Sequence, residues 1–173
     1  AVGSFSLDAV TTASNNTAIG YLSGSAITTG ASNTLLGSTA GDSITTAANN
    51  TAVGHASLGA ATTGASNTAV GYLSGGLLTT GNSNVAMGYN ALSADTLGDR
   101  AVAIGLNALS SQNFTSSTDN YNIAVGYNAG VAITTGVVNT LVGGLSGEAL
   151  TTGNSNVAVG YLSLSADTTG DRS

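Results

Sequence analysis

The sequence predicts an all-β fold, a parallel β-solenoid in which about ten 17-residue coils stack into a rod. Two observations support this fold class. An aliphatic residue followed by glycine returns at a constant spacing, and the residues before that glycine alternate large, small, large, as in a β-strand. Helical repeats are excluded, because a unit of this length is too short for two helices and a turn.

The repeat runs through the whole chain with one break. The step from Gly105 to Gly126 is longer than every other step, so a four-residue insertion is expected within 106–116. We expect a single repeat domain over 1–173, and a fragment of a longer fibre because Ala1 falls inside a unit. The repeating glycines are Gly3, Gly20, Gly37, Gly54, Gly71, Gly88, Gly105, Gly126, Gly143 and Gly160.

The residue before each glycine is aliphatic in every unit, and this pre-glycine column is expected to form the core. An aspartate at Val70 is therefore expected to destabilise the rod strongly, because it would bury an unpaired charge. The column consists of Val2, Ile19, Leu36, Val53, Val70, Met87, Ile104, Val125, Val142 and Val159.

A second pattern indicates a narrow interior. At the fourth position after the repeat glycine stands either Leu or Gly, and the units with Gly carry Ile or Leu a little further on, as Gly24 does with Ile27. Units with Leu carry a smaller or polar residue there, as Leu58 does with Ala61. Each coil thus supplies one large side chain from one of two places, as close packing of stacked coils requires.

Polar residues also recur in rows. An asparagine precedes each strand from Asn16 to Asn156, with Ala101 as the one gap, and it is expected to stack its amide on its neighbours at a corner. A Thr row, usually continued as Thr-Gly, is expected to form a turn.

Composition excludes several functions. The net charge of −6 makes nucleic acid and anionic membrane surfaces poor partners, and the lack of cysteine removes thiolate metal sites. No apolar run is long enough for membrane insertion by this segment. His55 has no second histidine or carboxylate motif near it in sequence, so we expect no enzyme and no cofactor. Asp95 with Asp99 before Arg100, and the equivalent Asp167 with Asp171 before Arg172, are expected to form solvated Asp–Arg pairs more readily than calcium sites.

Aromatic residues mark the candidate interaction surface. Amphipathic rings in a regular column favour an interface, either with a sister chain or with a receptor or glycan, and the subunit interface is the preferred interpretation. The insertion adds two more rings, and it is interpreted equally well as a binding element or as a harmless bulge. The candidate residues are Tyr21, Tyr72, Tyr89, Tyr127, Tyr161, Phe114 and Tyr121.

The segments RAVAIG at 100–105 and NVAVG at 156–160 resemble the head repeats of YadA-like trimeric autotransporter adhesins. The complete template, NTAVGY followed by TTG, is still more similar to the 17-residue repeats of phage tail fibres and bacterial surface fibres. This resemblance implies a left-handed, trimeric β-roll in an extracellular location, on a cell surface or a virion. The YadA-type head has a shorter repeat, and no stalk, anchor or chaperone domain is present here to separate adhesin from tail fibre.

The expected function is therefore a non-catalytic, structural and adhesive segment of an extracellular fibre. Two alternatives remain open. Regular Thr rows are compatible with an ice-binding solenoid, although paired Thr suits a flat binding face less well than alternate Thr. Unpaired terminal coils are compatible with a self-assembling filament.

Overall fold

The computed structural model describes residues 1–173, and its regular elements are short β-strands without any helix. No segment forms a helix of the length and apolarity that crossing a membrane requires. The strands are β1 (Thr17–Ile19), β2 (Thr34–Leu36), β3 (Thr51–Val53), β4 (Thr68–Val70), β5 (Val85–Met87), β6 (Gly98–Asp99), β7 (Val102–Ile104), β8 (Thr118–Asp119), β9 (Ile123–Val125), β10 (Thr140–Val142) and β11 (Val157–Val159).

Nine of these strands form one parallel sheet in the order β1-β2-β3-β4-β5-β7-β9-β10-β11. Each strand residue pairs with the equivalent residue of the next coil, as Thr51 does with Thr68. Val2 extends the sheet through a bridge to Ile19. Parallel pairing between successive coils at this repeat defines a β-solenoid, so the predicted fold class is confirmed.

The face of the strands that points into the core is the opposite of the expected one. Their middle residues, the alanine column, are buried, whereas the pre-glycine column faces solvent and the prediction that it forms the core was wrong. The interior is too narrow for a large side chain at every strand, because Leu and Ile from the opposite wall already fill it. The alanine column consists of Ala18, Leu35, Ala52, Ala69, Ala86, Ala103, Ala124, Leu141 and Ala158.

The predicted size compensation is confirmed, and it extends between coils. Leu58 and Ile27 are fully buried, so both alternative positions point inward. Leu35 is one of the large members of the alanine column, and it lies between the coils of Gly24 and Gly41. A Cβ on Gly24 would lie 2.7 Å from Leu35 Cδ1, and one on Gly41 would lie 2.9 Å from Leu35 Cδ2. A large strand residue is therefore accommodated by glycines on both sides.

The asparagine row forms a buried ladder at one corner, as predicted. Asn67 Oδ1 accepts hydrogen bonds from the backbone N–H of Asn84 at 2.9 Å and from Asn84 Nδ2 at 3.2 Å. Asn67 Nδ2 donates to the carbonyl oxygen of Gly81 at 2.8 Å. No buried side-chain nitrogen or oxygen of the chain lacks a hydrogen-bond partner. The ladder thus places amides in the interior at little desolvation cost.

The insertion lies further along the chain than expected. Thr96 Oγ1 donates to Asn113 Oδ1, so the regular 17-residue spacing between coils still holds at Asn113. Val102 pairs with Ile123, so the spacing between coils is longer at this strand. The extra residues therefore fall between Asn113 and Asn122, and not in most of the range 106–116. They form a bulge at a corner, where β8 pairs with β6, while the main sheet continues unbroken.

Candidate interaction surfaces

An apolar stripe runs along one side of the rod, and it combines two outward-facing columns. The pre-glycine column supplies aliphatic side chains, of which Ile19 and Val159 are 43% and 69% exposed. The tyrosine column, one residue past the glycine, supplies rings beside them. The exposed members of the stripe are Val2, Ile19, Tyr21, Leu36, Tyr72, Met87, Tyr89, Leu106, Tyr127, Val142, Val159 and Tyr161.

The rings of the stripe stack along the rod axis where they are consecutive. His55 and Tyr72 have ring centroids 5.4 Å apart at an interplanar angle of 20°, and Tyr72 and Tyr89 are 5.3 Å apart at 10°. Phe5 meets Tyr21 edge to face. The solenoid repeat sets these distances, because neighbouring parallel strands lie about 4.8 Å apart. The stripe is therefore a regular, ordered surface that exposes the ring edges.

The structure places six of the seven candidate aromatic residues on the surface. The five tyrosines of the column belong to the stripe, and Tyr121 is 51% exposed on the insertion. Phe114 is only 5% exposed, so its expected place on an interaction surface was wrong. Its ring packs inside the coil against Gly98, where an added Cβ would lie 2.9 Å from Phe114 Cδ2.

A polar notch lies beside the insertion, and Asn82, Ser83, Asp99, Arg100 and Asp119 line its volume of about 280 Å³. Arg100 forms an ion pair with Asp119, and both side chains are about half exposed. Asp99 Oδ1 accepts a hydrogen bond from the backbone N–H of Asn82 at 2.6 Å. Asp99 Oδ2 accepts one from Ser117 Oγ, in the insertion, at 2.7 Å. The insertion is thus anchored to the rod through a carboxylate that is almost fully buried.

Tyr121 does not line this notch, but it lies next to Arg100, which does. The guanidinium carbon of Arg100 lies 5.7 Å from the centroid of the Tyr121 ring, within the range of a cation–π contact. The predicted solvated pair between Arg100 and the preceding aspartates was wrong, because the partner of Arg100 is Asp119 in the insertion. The sequence offered no signal for this pairing, since it depends on where the bulge folds back.

The aspartate–asparagine part of this arrangement occurs a second time, near the C-terminal end of the rod. Asn154, Ser155, Asp171 and Arg172 line a notch of about 450 Å³. Asp171 Oδ1 accepts hydrogen bonds from the backbone and the amide of Asn154, as Asp99 does from Asn82. Within residues 1–173, the insertion supplies Asp119 and Tyr121 to the first notch only.

Asp95 is fully buried and is not placed to bind a ligand. Its carboxylate accepts hydrogen bonds from Gln112 Nε2 at 2.7 Å and from Gly98 N at 3.0 Å. Desolvation raises the pKa of Asp95 above its ordinary value, although these hydrogen bonds act to lower it. No group of three or more His, Cys, Asp or Glu residues is arranged to hold a metal ion.

Comparisons with known proteins add no further information about these surfaces. No family model, no curated protein and no solved structure matches this chain. The function of the chain is therefore inferred from the geometry of the stripe and the notch.

Proposed function

We propose that this chain is a rigid, non-catalytic segment of an extracellular fibre, of the phage tail-fibre or trimeric surface-adhesin type. The segment extends the fibre, stiffens it and provides a surface for attachment. It associates with copies of itself, as a trimer, through the apolar stripe. The observation that carries the proposal is the exposure of this stripe along the rod. Large contiguous apolar patches are rare on monomeric soluble proteins and mark interaction sites.

The form of the stripe favours a second copy of the chain as its partner. The stripe follows the solenoid axis, and pairing of Val102 with Ile123 keeps it continuous past the insertion. A straight, regular surface is matched best along its full length by another surface of the same period. The stripe contains no formally charged side chain among its exposed members, so close approach of identical surfaces meets no charge repulsion.

Light scattering at micromolar protein concentration tests the assembly. We expect three times the mass of the 16.6 kDa chain. Replacing Tyr72, Tyr89 and Tyr127 together by Ser should give monomers, because the stripe loses three of its five tyrosine rings. The fold should survive, since Ser4 and Ser38 already occupy this column.

Tyr121→Ser is the matched control, because Tyr121 is a similarly exposed ring outside the stripe, and this variant should still assemble. A monomeric wild-type chain would contradict the proposed assembly. Large, heterogeneous species that grow with concentration would favour the filament alternative.

The ice-binding alternative has one observation in its favour, an exposed Thr row that includes Thr29, Thr46 and Thr63. The neighbouring Thr row is less suitable. Its hydroxyls are half buried and donate to backbone carbonyls of the next coil, as Thr45 Oγ1 does to the Thr62 oxygen at 3.1 Å. A flat, two-row face is therefore not formed. Thermal hysteresis of a micromolar solution would be the result that favours this alternative.

A further inference from the structure

The polar notch beside the insertion is a second surface, separate from the stripe. The notch lies at the corner where β6 pairs with β8, and the stripe follows the strands of the main sheet. The sole ion pair of the chain lies here, on a rod whose charged residues make up only 6% of the sequence. Polar chemistry is thus concentrated at one place.

We propose that this notch is a carbohydrate-binding site, which takes one sugar residue with adjacent hydroxyl groups. This inference rests on the proposed attachment role and names its ligand class. Arg100 and Asp119 present a donor and an acceptor side by side, and adjacent sugar hydroxyls need this combination because each both donates and accepts. The Arg100 guanidinium lies over one face of the Tyr121 ring. The ring is still 51% exposed, so its uncovered part offers apolar contact to the C–H side of the sugar ring.

The groups that would meet the sugar retain hydrogen-bonding capacity. A guanidinium carries five N–H donors, and the ion pair to Asp119 engages Nη1 of Arg100. Ser83 adds a hydroxyl to the lining. Asn82 and Asp99 act as positioning residues instead, since they bond to each other, and Asp99 also holds Ser117. A site held in this way loses little conformational entropy on binding.

Other ligand classes fit less well. Asp99 and Asp119 lie in the notch, and the chain has a net charge of −6, so a phosphate or another anion would be repelled. All five lining residues are polar, which disfavours a purely apolar ligand. The volume of about 280 Å³ is just below the usual range for drug-sized ligands, so it suits a single sugar ring.

Saturation-transfer NMR tests the site with glucose, galactose, mannose, fucose and N-acetylglucosamine at millimolar concentration, and with glycerol and inorganic phosphate as comparison ligands. We expect at least one sugar to receive saturation from the protein, while glycerol and phosphate receive none. Tyr121→Ala and Arg100→Gln should each weaken the binding of that sugar by about tenfold. Tyr121→Phe should retain binding, because the ring face and not its hydroxyl is used.

Arg172→Gln is the matched control, because Arg172 occupies the equivalent position of the second notch and should leave binding unchanged. The proposal is overturned if no sugar in the panel binds, if phosphate binds in place of a sugar, or if Arg100→Gln and Arg172→Gln weaken binding equally. Circular dichroism of each variant checks that the β-fold is retained. Light scattering reports the assembly through the stripe independently, so failure of the notch and failure of the proposed fibre role give different results.

Discussion

At the scale of single residues, size decides which side chains of a strand face inward. Ala69 is fully buried, whereas Thr68 and Val70 on either side are partly exposed. Leu58 and Leu78 already fill the space beneath this strand. A Cβ added at Gly75 would lie 3.0 Å from Leu58 Cδ2, 3.1 Å from Leu78 Cδ1 and 3.8 Å from Ala69 Cβ. Narrow coils thus reverse the usual expectation that the larger residues of an alternating strand form the core.

Aspartate substitutions at two adjacent positions test this reversal. Ala69→Asp should cost about 3 kcal/mol or more, because it buries an unpaired charge and overfills the core. Val70→Asp should cost less than about 1 kcal/mol in the isolated chain, because its side chain reaches solvent. Urea unfolding measures both, at dilutions where light scattering shows monomers. Equal costs at the two positions would mean that the strand does not present Ala69 to the core.

At the scale of the element, each strand of the nine-stranded sheet is followed by a glycine, and the stacking of coils depends on these glycines. Gly71 has φ of +137°, a backbone region that is essentially restricted to glycine. A Cβ at this position would lie 2.5 Å from the carbonyl oxygen of Gly88 in the next coil. The backbones of successive coils are thus in direct contact here, and no side-chain movement could relieve the overlap.

Two glycine-to-alanine substitutions separate this requirement from a general effect of glycine. Gly71→Ala should cost more than about 3 kcal/mol, because a strained φ and a backbone clash combine. Gly144→Ala should change stability by no more than about 0.5 kcal/mol. The nearest atom to a Cβ at Gly144 is 3.6 Å away, on the Tyr161 ring. Thermal melts give the comparison, and similar melting temperatures for the two variants would contradict the backbone contact.

At the scale of the whole molecule, the rod contains few of the groups that usually cause acid unfolding. The pKa values of Asp42 and Asp95 are both raised, chiefly by desolvation, from an ordinary value of 3.8. The folded chain therefore binds a proton at a pH where the unfolded chain is still ionised. Both carboxylates destabilise the fold at neutral pH, and this effect diminishes as the pH falls through their folded pKa values towards 3.8.

Stability should consequently increase on mild acidification. We expect the free energy of unfolding of the wild-type chain to rise as the pH is lowered from 7 to about 4. The double variant with Asp42→Asn and Asp95→Asn should show a flatter profile, because its two main titrating groups are gone. Urea unfolding at a series of pH values measures both profiles. A wild-type stability that falls over this range would show that other carboxylates dominate.

The candidate surfaces were only partly predictable. The tyrosine column is predictable because Tyr21 and Tyr72 stand at the same position of the unit, and regular recurrence is visible in the sequence. The notch is not, because Arg100 and Asp119 are brought together by an irregular bulge that obeys no repeat. Phe114 was misplaced for the same reason, since nothing local distinguishes a ring that turns into the coil from one that turns out.

The sequence by itself determined the solenoid, its register and the alternation of Leu and Gly at the fourth position after the repeat glycine. Each of these features recurs at a regular spacing along the chain. Only the tertiary structure decided which face of each strand is inside. An alternating strand such as Thr68, Ala69, Val70 has the same pattern whichever side is buried. The choice depends on the free volume beneath the sheet, and the opposite wall of the coil sets that volume through Leu58 and Leu78.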